Sequence, residues 1–256
     1  MIRRARRRQH GPTVSDITFY FDPVCPFAWM TSKWVRLVQR QREYSVEWRF
    51  ISLRLLNSHI DYDAHFPPEY EQGHTAGLRM LRVAAAVRQA HGQSALDGLQ
   101  RAFGNHIFEI DPPDTAARAQ MGTPSHVQPI LREAGLSSDL ASALAEHTWD
   151  QVIQAETDEA LSLTGKDVGT PIINFHPADD KAGKDVAFFG PVISRMPNAE
   201  QAVQLWDHVV GLAAFAGFAE MKRSLRELPQ LRALGVSEDQ VGTTEDWHGG
   251  SRRQKK

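Results

Sequence analysis

Residues 17–50 constrain the fold more than any other stretch of the chain. Ile17-Thr18-Phe19-Tyr20-Phe21 is a short β-branched and aromatic run that stops at Asp22-Pro23, and it reads as a buried strand. After Val24-Cys25-Pro26, the residues Trp34, Val35, Leu37 and Val38 fall at helical spacing within Phe27–Gln41, and Pro26 suits the first turn of that helix. Val46, Trp48 and Phe50 then alternate with Ser45, Glu47 and Arg49, as in a half-buried strand. A helix of this length is enough for a right-handed crossover, so the segment predicts a β-α-β unit with two parallel strands. The cysteine sits where the first strand hands over to the helix.

Beyond Pro67-Pro68 the texture changes, and from Glu69 to Gly165 the apolar pattern is almost wholly helical. Leu78, Leu81, Val83, Ala84 and Val87 mark one helix closed by Gly92, and Leu96, Leu99, Phe103 and Ile107 mark another. Further helices are expected around Val127–Ala134, Asp139–His147 and Trp149–Leu163. Strand character returns at Thr170–Phe175 and at Val186–Phe189, on either side of polar Asp179–Lys184, which predicts a hairpin. A last long helix runs from Ala199 to about Phe218, and the residues after Leu234 turn polar and are expected to carry little order. No internal repeat is present. The class is α/β.

Charge is unevenly distributed. The formal balance of the 256 residues is −2, but Arg3, Arg4, Arg6, Arg7 and Arg8 open the chain and Arg252, Arg253, Lys255 and Lys256 close it. Setting those nine aside leaves 20 basic against 31 acidic side chains in residues 16–250, a formal −11. So acidic a body is a poor general binder of nucleic acid. The longest apolar run, Val209–Ala219, is about half of the ~20 residues that a membrane-spanning helix needs. His10-Gly11-Pro12 stands where an export signal would carry an apolar region of roughly 7–15 residues, so cytoplasmic residence is expected, with no membrane or nucleic-acid partner.

Cys25 is the chain's single cysteine, so no disulfide can close within it. A lone cysteine often serves as a small buried hydrophobe. Its place at a helix N-terminus points to chemistry instead, because the thiolate is the nucleophile of thiol–disulfide exchange and the helix dipole favours it. If that stabilisation approaches ~2 kcal/mol, the thiol pKa falls by roughly 1.5 from ~8.5, and the thiolate fraction at pH 7 rises to about half. Asp22 opposes this if it points at the sulfur, and so does burial by Phe27 and Trp29.

The order strand, Cys-Pro-x-x at a helix start, strand, helical stretch, Thr-Pro strand, strand, helix resembles the thioredoxin-like fold of the DsbA-like class. It is most similar to the actinobacterial DsbA-like oxidoreductases that include mycothiol-dependent nitroreductases. The words that carry the resemblance are Phe21-Asp22-Pro23-Val24-Cys25-Pro26-Phe27-Ala28-Trp29, Ser52-Leu53 with Asn57, and Gly169-Thr170-Pro171, within residues 16–218. The chain is expected to divide into a basic disordered tail at 1–15, a thioredoxin-like unit split into 16–66 and 166–220, an all-helical insertion at 67–165, and a partly disordered extension at 221–256; neither basic tail belongs to the resemblance. The resemblance itself spans the order of the elements. It implies Cys25 as the catalytic residue, with Pro26, Phe27, Trp29, Asn57, Thr170 and Pro171 binding the thiol partner. Tyr62 is a weaker candidate. In resembling folds the proline at position 171 is cis and packs on the cysteine, which leaves the backbone of Thr170 to pair with an extended thiol. Pro171 as a mere strand start is the plainer alternative.

One departure from the family pattern decides most. The usual motif is Cys-Pro-x-Cys, and here Ala28 holds the fourth position, so no resolving thiol follows Cys25. A mixed disulfide at Cys25 then requires an external thiol to discharge it. Three functions stay open: a monothiol oxidoreductase using mycothiol or glutathione on a small electrophilic or disulfide substrate; a thiol-dependent isomerase or transferase like the 2-hydroxychromene-2-carboxylate isomerase and kappa-type glutathione transferase branch; and a non-catalytic binding protein on the same fold. No metal is expected, because His59, Asp61, Asp63 and His65 match no recognised ligand spacing. Gly165-Lys166 lacks the rest of a phosphate loop, and no G-x-S-x-G or G-x-G-x-x-G occurs. Oligomeric state is left open, a homodimer included.

Overall fold

A computed structural model of the protein describes residues 15–65, 68–165, 167–176, 185–221, 223 and 225–246. Both basic tails, Lys166, Gly249-Gly250 and most of the polar hairpin loop lie outside those residues.

The sheet is built from β1 (Ile17–Phe21), β2 (Val46–Phe50), β3 (Ile172–Phe175) and β4 (Val186–Phe189), in the order β2-β1-β3-β4. β1 and β2 run parallel, with Ile17 beside Val46 and Phe21 beside Phe50, while β1–β3 and β3–β4 are antiparallel. Helix α1 (Pro26–Gln39) joins the parallel pair and α9 (Ala199–Ala214) follows the hairpin. A β-α-β unit set beside a β-β-α unit in this strand order is the thioredoxin-like fold.

Alternation along the strands assigns the two faces. Ile17, Phe19, Phe21, Trp48, Phe50, Ile173 and Phe175 join Trp34, Val35 and Val38 of α1 and Ala202 and Trp206 of α9 in the main core. The Trp34 indole N–H donates to the Ala202 carbonyl at 3.0 Å, fixing α1 against α9. On the other face Tyr20 and Ile172 pack with Ile51 and with Ala160 of α8 (Asp150–Thr164).

Between β2 and β3 lie α2 (Leu53–Leu56), α3 (Tyr62–His65), α4 (Pro68–His91), α5 (Ala95–Phe108), α6 (Thr115–Ala119), α7 (Pro124–Glu133) and α8. Met80, Leu81, Val83, Ala84 and Val87 of α4, Leu96, Leu99 and Phe103 of α5, and Val127, Ile130 and Leu131 of α7 are continuous with the main core. Arg82, buried on α4, donates to both carboxylate oxygens of Asp150 at 2.7 and 2.9 Å and to the Leu144 carbonyl at 3.0 Å, so its charge is paired and its fork is used.

Several local expectations differ from the structure. The stretch expected to be a helix at Asp139–His147 is 3₁₀ over Ser138–Ala145 and His147–Trp149. The last long helix ends at Ala214, four residues before the expected Phe218, because Phe215 is extended (φ −93°, ψ 100°) and Gly217 follows. Residues 225–246 form a small antiparallel pair, β5 (Leu225–Glu227) with β6 (Thr244–Asp246), joined through a 3₁₀ turn at Arg232–Leu234, so the part after Leu234, expected to carry little order, is ordered as far as Asp246. Leu231 in this segment is 1% exposed and packs on Trp29, Met30 and Phe108. Among the described residues no helix is long and apolar enough to cross a membrane.

Candidate active site

Cys25 is the N-cap residue of α1, with extended backbone (φ −85°, ψ 112°) and Pro26 at the first helical position. A turn closed by the Cys25 N–H on the Asp22 carbonyl at 3.1 Å brings the chain out of β1 and into this cap. The sulfur is held from two sides. Its S–H donates to the Thr170 carbonyl at 3.3 Å, and it accepts the Ala28 N–H at 3.4 Å.

Thr170 arrives from a part of the chain 145 residues away and is itself buried. Its hydroxyl donates to the Tyr20 carbonyl at 3.3 Å, which anchors it to the end of β1. The Thr170–Pro171 peptide bond is cis, as is Gly190–Pro191, and the Pro171 carbonyl accepts the Gly190 N–H at 2.8 Å. Cys25, Thr170 and Pro171 therefore meet at one end of the sheet. Pro26 and Phe27 flank the thiol and stay half-buried.

Asn57 and Trp29 stand differently. Asn57 caps α2 and is buried, with its side-chain amide donating to the Leu53 carbonyl at 2.8 Å. Trp29 is enclosed: its ring lies against Gly104 of α5 and against Leu231, and its indole N–H donates to Glu109 at 2.7 Å. That N–H is the only polar group of the side chain, so Trp29 fixes α1 from behind. A Cβ at position 104 would overlap the indole ring, which is buried and tied to Glu109. Gly104→Ala is expected to lower stability by about 3 kcal/mol, read as an earlier midpoint in urea at unchanged slope. An unchanged midpoint would show that the indole is not seated there.

Of the opposing influences on the thiol, burial is the largest in this conformation. Cys25 is 5% exposed, and burial pushes its thiol up to about 12. The Ala28 and Phe27 N–H groups work the other way, and the negative charge of Asp22 adds to the rise. Here desolvation outweighs the helix N-terminus.

Of the groups near the Asp22 turn, sequence reasoning named only Tyr62. Gly77 of α4 lies so close that a Cβ there would stand 2.6 Å from Asp22 Oδ1 and 2.8 Å from a Val24 methyl. Tyr62 on α3 meets His74 Nδ1 through its hydroxyl at 2.9 Å, and the Arg54 guanidinium lies 4.8 Å from the Tyr62 ring centre. His74 and Arg54 fall in stretches where only helical periodicity or nothing was legible, and no motif marks them. Among the described residues no three His, Cys, Asp or Glu side chains converge as a metal site would require.

The family model described as Rv2466c-like, mycothiol-dependent nitroreductase Rv2466c, matches residues 24–223. The chain belongs to the Rv2466c-like family. The match takes in Cys25, all of α1–α9 and the Thr170-Pro171 segment; it begins after β1 and stops short of β5. The uncharacterized protein Rv2286c of Mycobacterium tuberculosis is 27% identical over 213 residues, which cover 82% of each chain. A solved structure from Pseudomonas syringae, provisionally described as a protein-disulfide isomerase, aligns with 74% of this chain and 92% of its own at 16% identity and a TM-score of 0.41. Within the Rv2466c-like family this chain has its only sulfur nucleophile at Cys25, with Ala28 buried three residues on.

Proposed function

We propose that the chain is a thiol-dependent oxidoreductase that works through Cys25 alone, with mycothiol as its thiol co-substrate and a small electrophile or disulfide as its substrate. Membership of a mycothiol-dependent family supports the co-substrate, and the family description supports a nitro compound as electrophile. The observation that carries the mechanism is the pair Cys25 and Ala28: a nucleophile at a helix N-terminus with no second thiol to resolve it.

In this reading the cycle of the chain's one thiol is completed by an external thiol. With a disulfide substrate, the Cys25 thiolate attacks one sulfur, the S–S bond breaks, and one thiol leaves as Cys25 becomes a mixed disulfide. A free thiol then attacks the mixed disulfide, restoring Cys25 and releasing a new disulfide. With a nitro substrate, one Cys25 thiol and one mycothiol supply two electrons and two protons, giving nitroso product, water and the mixed disulfide, which a second mycothiol discharges. Thr170 and Pro171 form the wall against which the thiol partner lies, with Pro26, Phe27 and Asn57 around it, while Trp29 holds α1 in place.

Intact mass spectrometry after incubation with oxidised mycothiol is expected to show one mycothiol per chain, removed by reductant and mapped to Cys25. An unmodified mass in the folded protein at pH 8.5 would sink this mechanism. Oxidised glutathione run in parallel decides which thiol is preferred. The same measurement on Ala28→Cys is expected to show an adduct that no longer accumulates, because an adjacent thiol discharges it within the chain.

A second function draws on one observation. A thiol that is buried and held protonated can donate a hydrogen bond to a bound thiolate without turning over, as an isomerase or transferase would use it. Retention of activity by Cys25→Ser would select it.

A further inference from the structure

We propose that Asp22 is a positioning residue for Cys25: its carboxyl, sealed by α4 in the turn that carries the nucleophile, makes the already sheltered thiol harder to ionise when it is charged and easier when it is neutral. This rests on Cys25 as the nucleophile.

Three hydrogen bonds fix Asp22 within the turn that carries Cys25. The peptide carbonyl of Asp22 accepts the Cys25 N–H at 3.1 Å, Oδ1 accepts the Val24 N–H at 3.0 Å, and Oδ2 accepts the first N–H of α2, from Leu53, at 2.8 Å. The side chain thus ties the cysteine turn to α2, and the Leu53 carbonyl one turn on receives Asn57. Gly77 closes the third side, where only a hydrogen allows α4 to approach the carboxyl. Asp22 is 2% exposed, and among the described residues no Lys, Arg or His forms an ion pair with it. A buried carboxylate with two N–H donors and no cation is a group whose charge is costly to keep.

Burial pushes Asp22 up to about 7, the two N–H groups opposing it, and its charge is felt at Cys25 and at Tyr62. The other titratable groups facing it come from three elements. Arg54 of α2 pairs with Glu71 of α4 at 3.0 Å and lies over the Tyr62 ring. Tyr62 of α3 is raised, chiefly by burial. His74 of α4 is pushed down to about 4, by burial and by the charge of Arg54. Tyr62 and His74 are both neutral between pH 6 and 9, so a change of charge beside Cys25 in that window belongs to Asp22.

The consequence is a pH profile that a lone thiol cannot give. Below pH 7 the thiolate fraction rises tenfold per pH unit; as Asp22 ionises the rise flattens, because each new carboxylate makes Cys25 harder to ionise; above that region the slope returns. The test is the rate of alkylation by iodoacetamide from pH 5.5 to 9.5, which reads Cys25 alone because the chain has one cysteine. The wild-type protein is expected to show the shoulder near pH 7. Asp22→Asn is expected to give a straight line that coincides with wild type at pH 5.5 and runs about tenfold faster at pH 8.5, one pH unit of coupling. A straight wild-type profile overturns the proposal even if the variant does not fold. So does a folded Asp22→Asn whose profile matches wild type, which would leave Asp22 as a structural tie only. Alkylation needs no mycothiol, so failure here is distinct from failure to form the mycothiol adduct.

Discussion

Cys25→Ser is expected to abolish the mycothiol adduct and to cut mycothiol-dependent reduction by on the order of a thousandfold or more. The size follows from the chemistry: a serine hydroxyl stays protonated in the working range and forms no disulfide. The fold should tolerate the change, because the serine oxygen can still donate to the Thr170 carbonyl and accept the Ala28 N–H, the two contacts that the sulfur makes. Stability is therefore expected to change by about 1 kcal/mol or less. Measuring turnover and urea unfolding on the same preparation separates lost chemistry from lost structure. Full turnover in a folded Cys25→Ser protein would end the redox mechanism in favour of the isomerase or transferase function.

The second large effect is on stability against pH. Asp22 titrates at about 7 in the fold, and an unfolded aspartate titrates near ~3.9. A group whose pKa is raised by folding gives its full share of stability below the unfolded value and loses it as pH rises through the folded value. Ionising Asp22 is thus expected to cost the wild-type fold on the order of 4 kcal/mol between about pH 4 and pH 7, with no further loss above. Glu156, also raised chiefly by burial, contributes in the same direction, whereas His74 and His126, lowered by burial, favour higher pH. The difference between wild type and Asp22→Asn isolates the one group. The amide removes the charge but turns an N–H₂ toward a backbone N–H, at about 1–3 kcal/mol. Asp22→Asn is therefore expected to be the less stable protein at pH 4.5 and the more stable at pH 8, by urea unfolding. A variant less stable at both values would mean that the buried charge is not the dominant cost.

The sheet was legible because its signals are local. Period-two alternation at Val46–Phe50, the β-branched run at Ile17–Phe21 and the Asp-Pro and Cys-Pro breaks each act within a few residues, and the strands fall where those signals end. The 3₁₀ stretch at Ser138–Ala145 was not legible as such, since its apolar spacing also suits an α-helix and packing against α4 and α7 decides between them. The four-residue helices at Leu53 and Tyr62 are too short to show a period. The first is held at its start by the Asp22 carboxylate from another segment.

The candidate site divides in the same way. Cys25, Ala28 and the helix start could be read from adjacent letters, and so could the Thr-Pro pair. The protonation of the thiol could not, because it depends on how completely Thr170 and the helix carrying Gly77 exclude water from the turn, and no local pattern encodes that exclusion. Trp29 shows the reverse case. Its position one turn from Cys25 suggested contact with a ligand, while Glu109, Gly104 and Leu231, all distant in sequence, claim its polar and apolar surface.

The bond from the Cys25 sulfur to the Thr170 carbonyl closes a loop of 145 residues. Contacts of such sequence separation are late and entropically demanding to form during folding. The acceptor of the thiol comes from the second half of the sheet, so the segment around Cys25 cannot supply it alone. The shelter of the sulfur is thus a property of the assembled sheet and not of the segment that carries it.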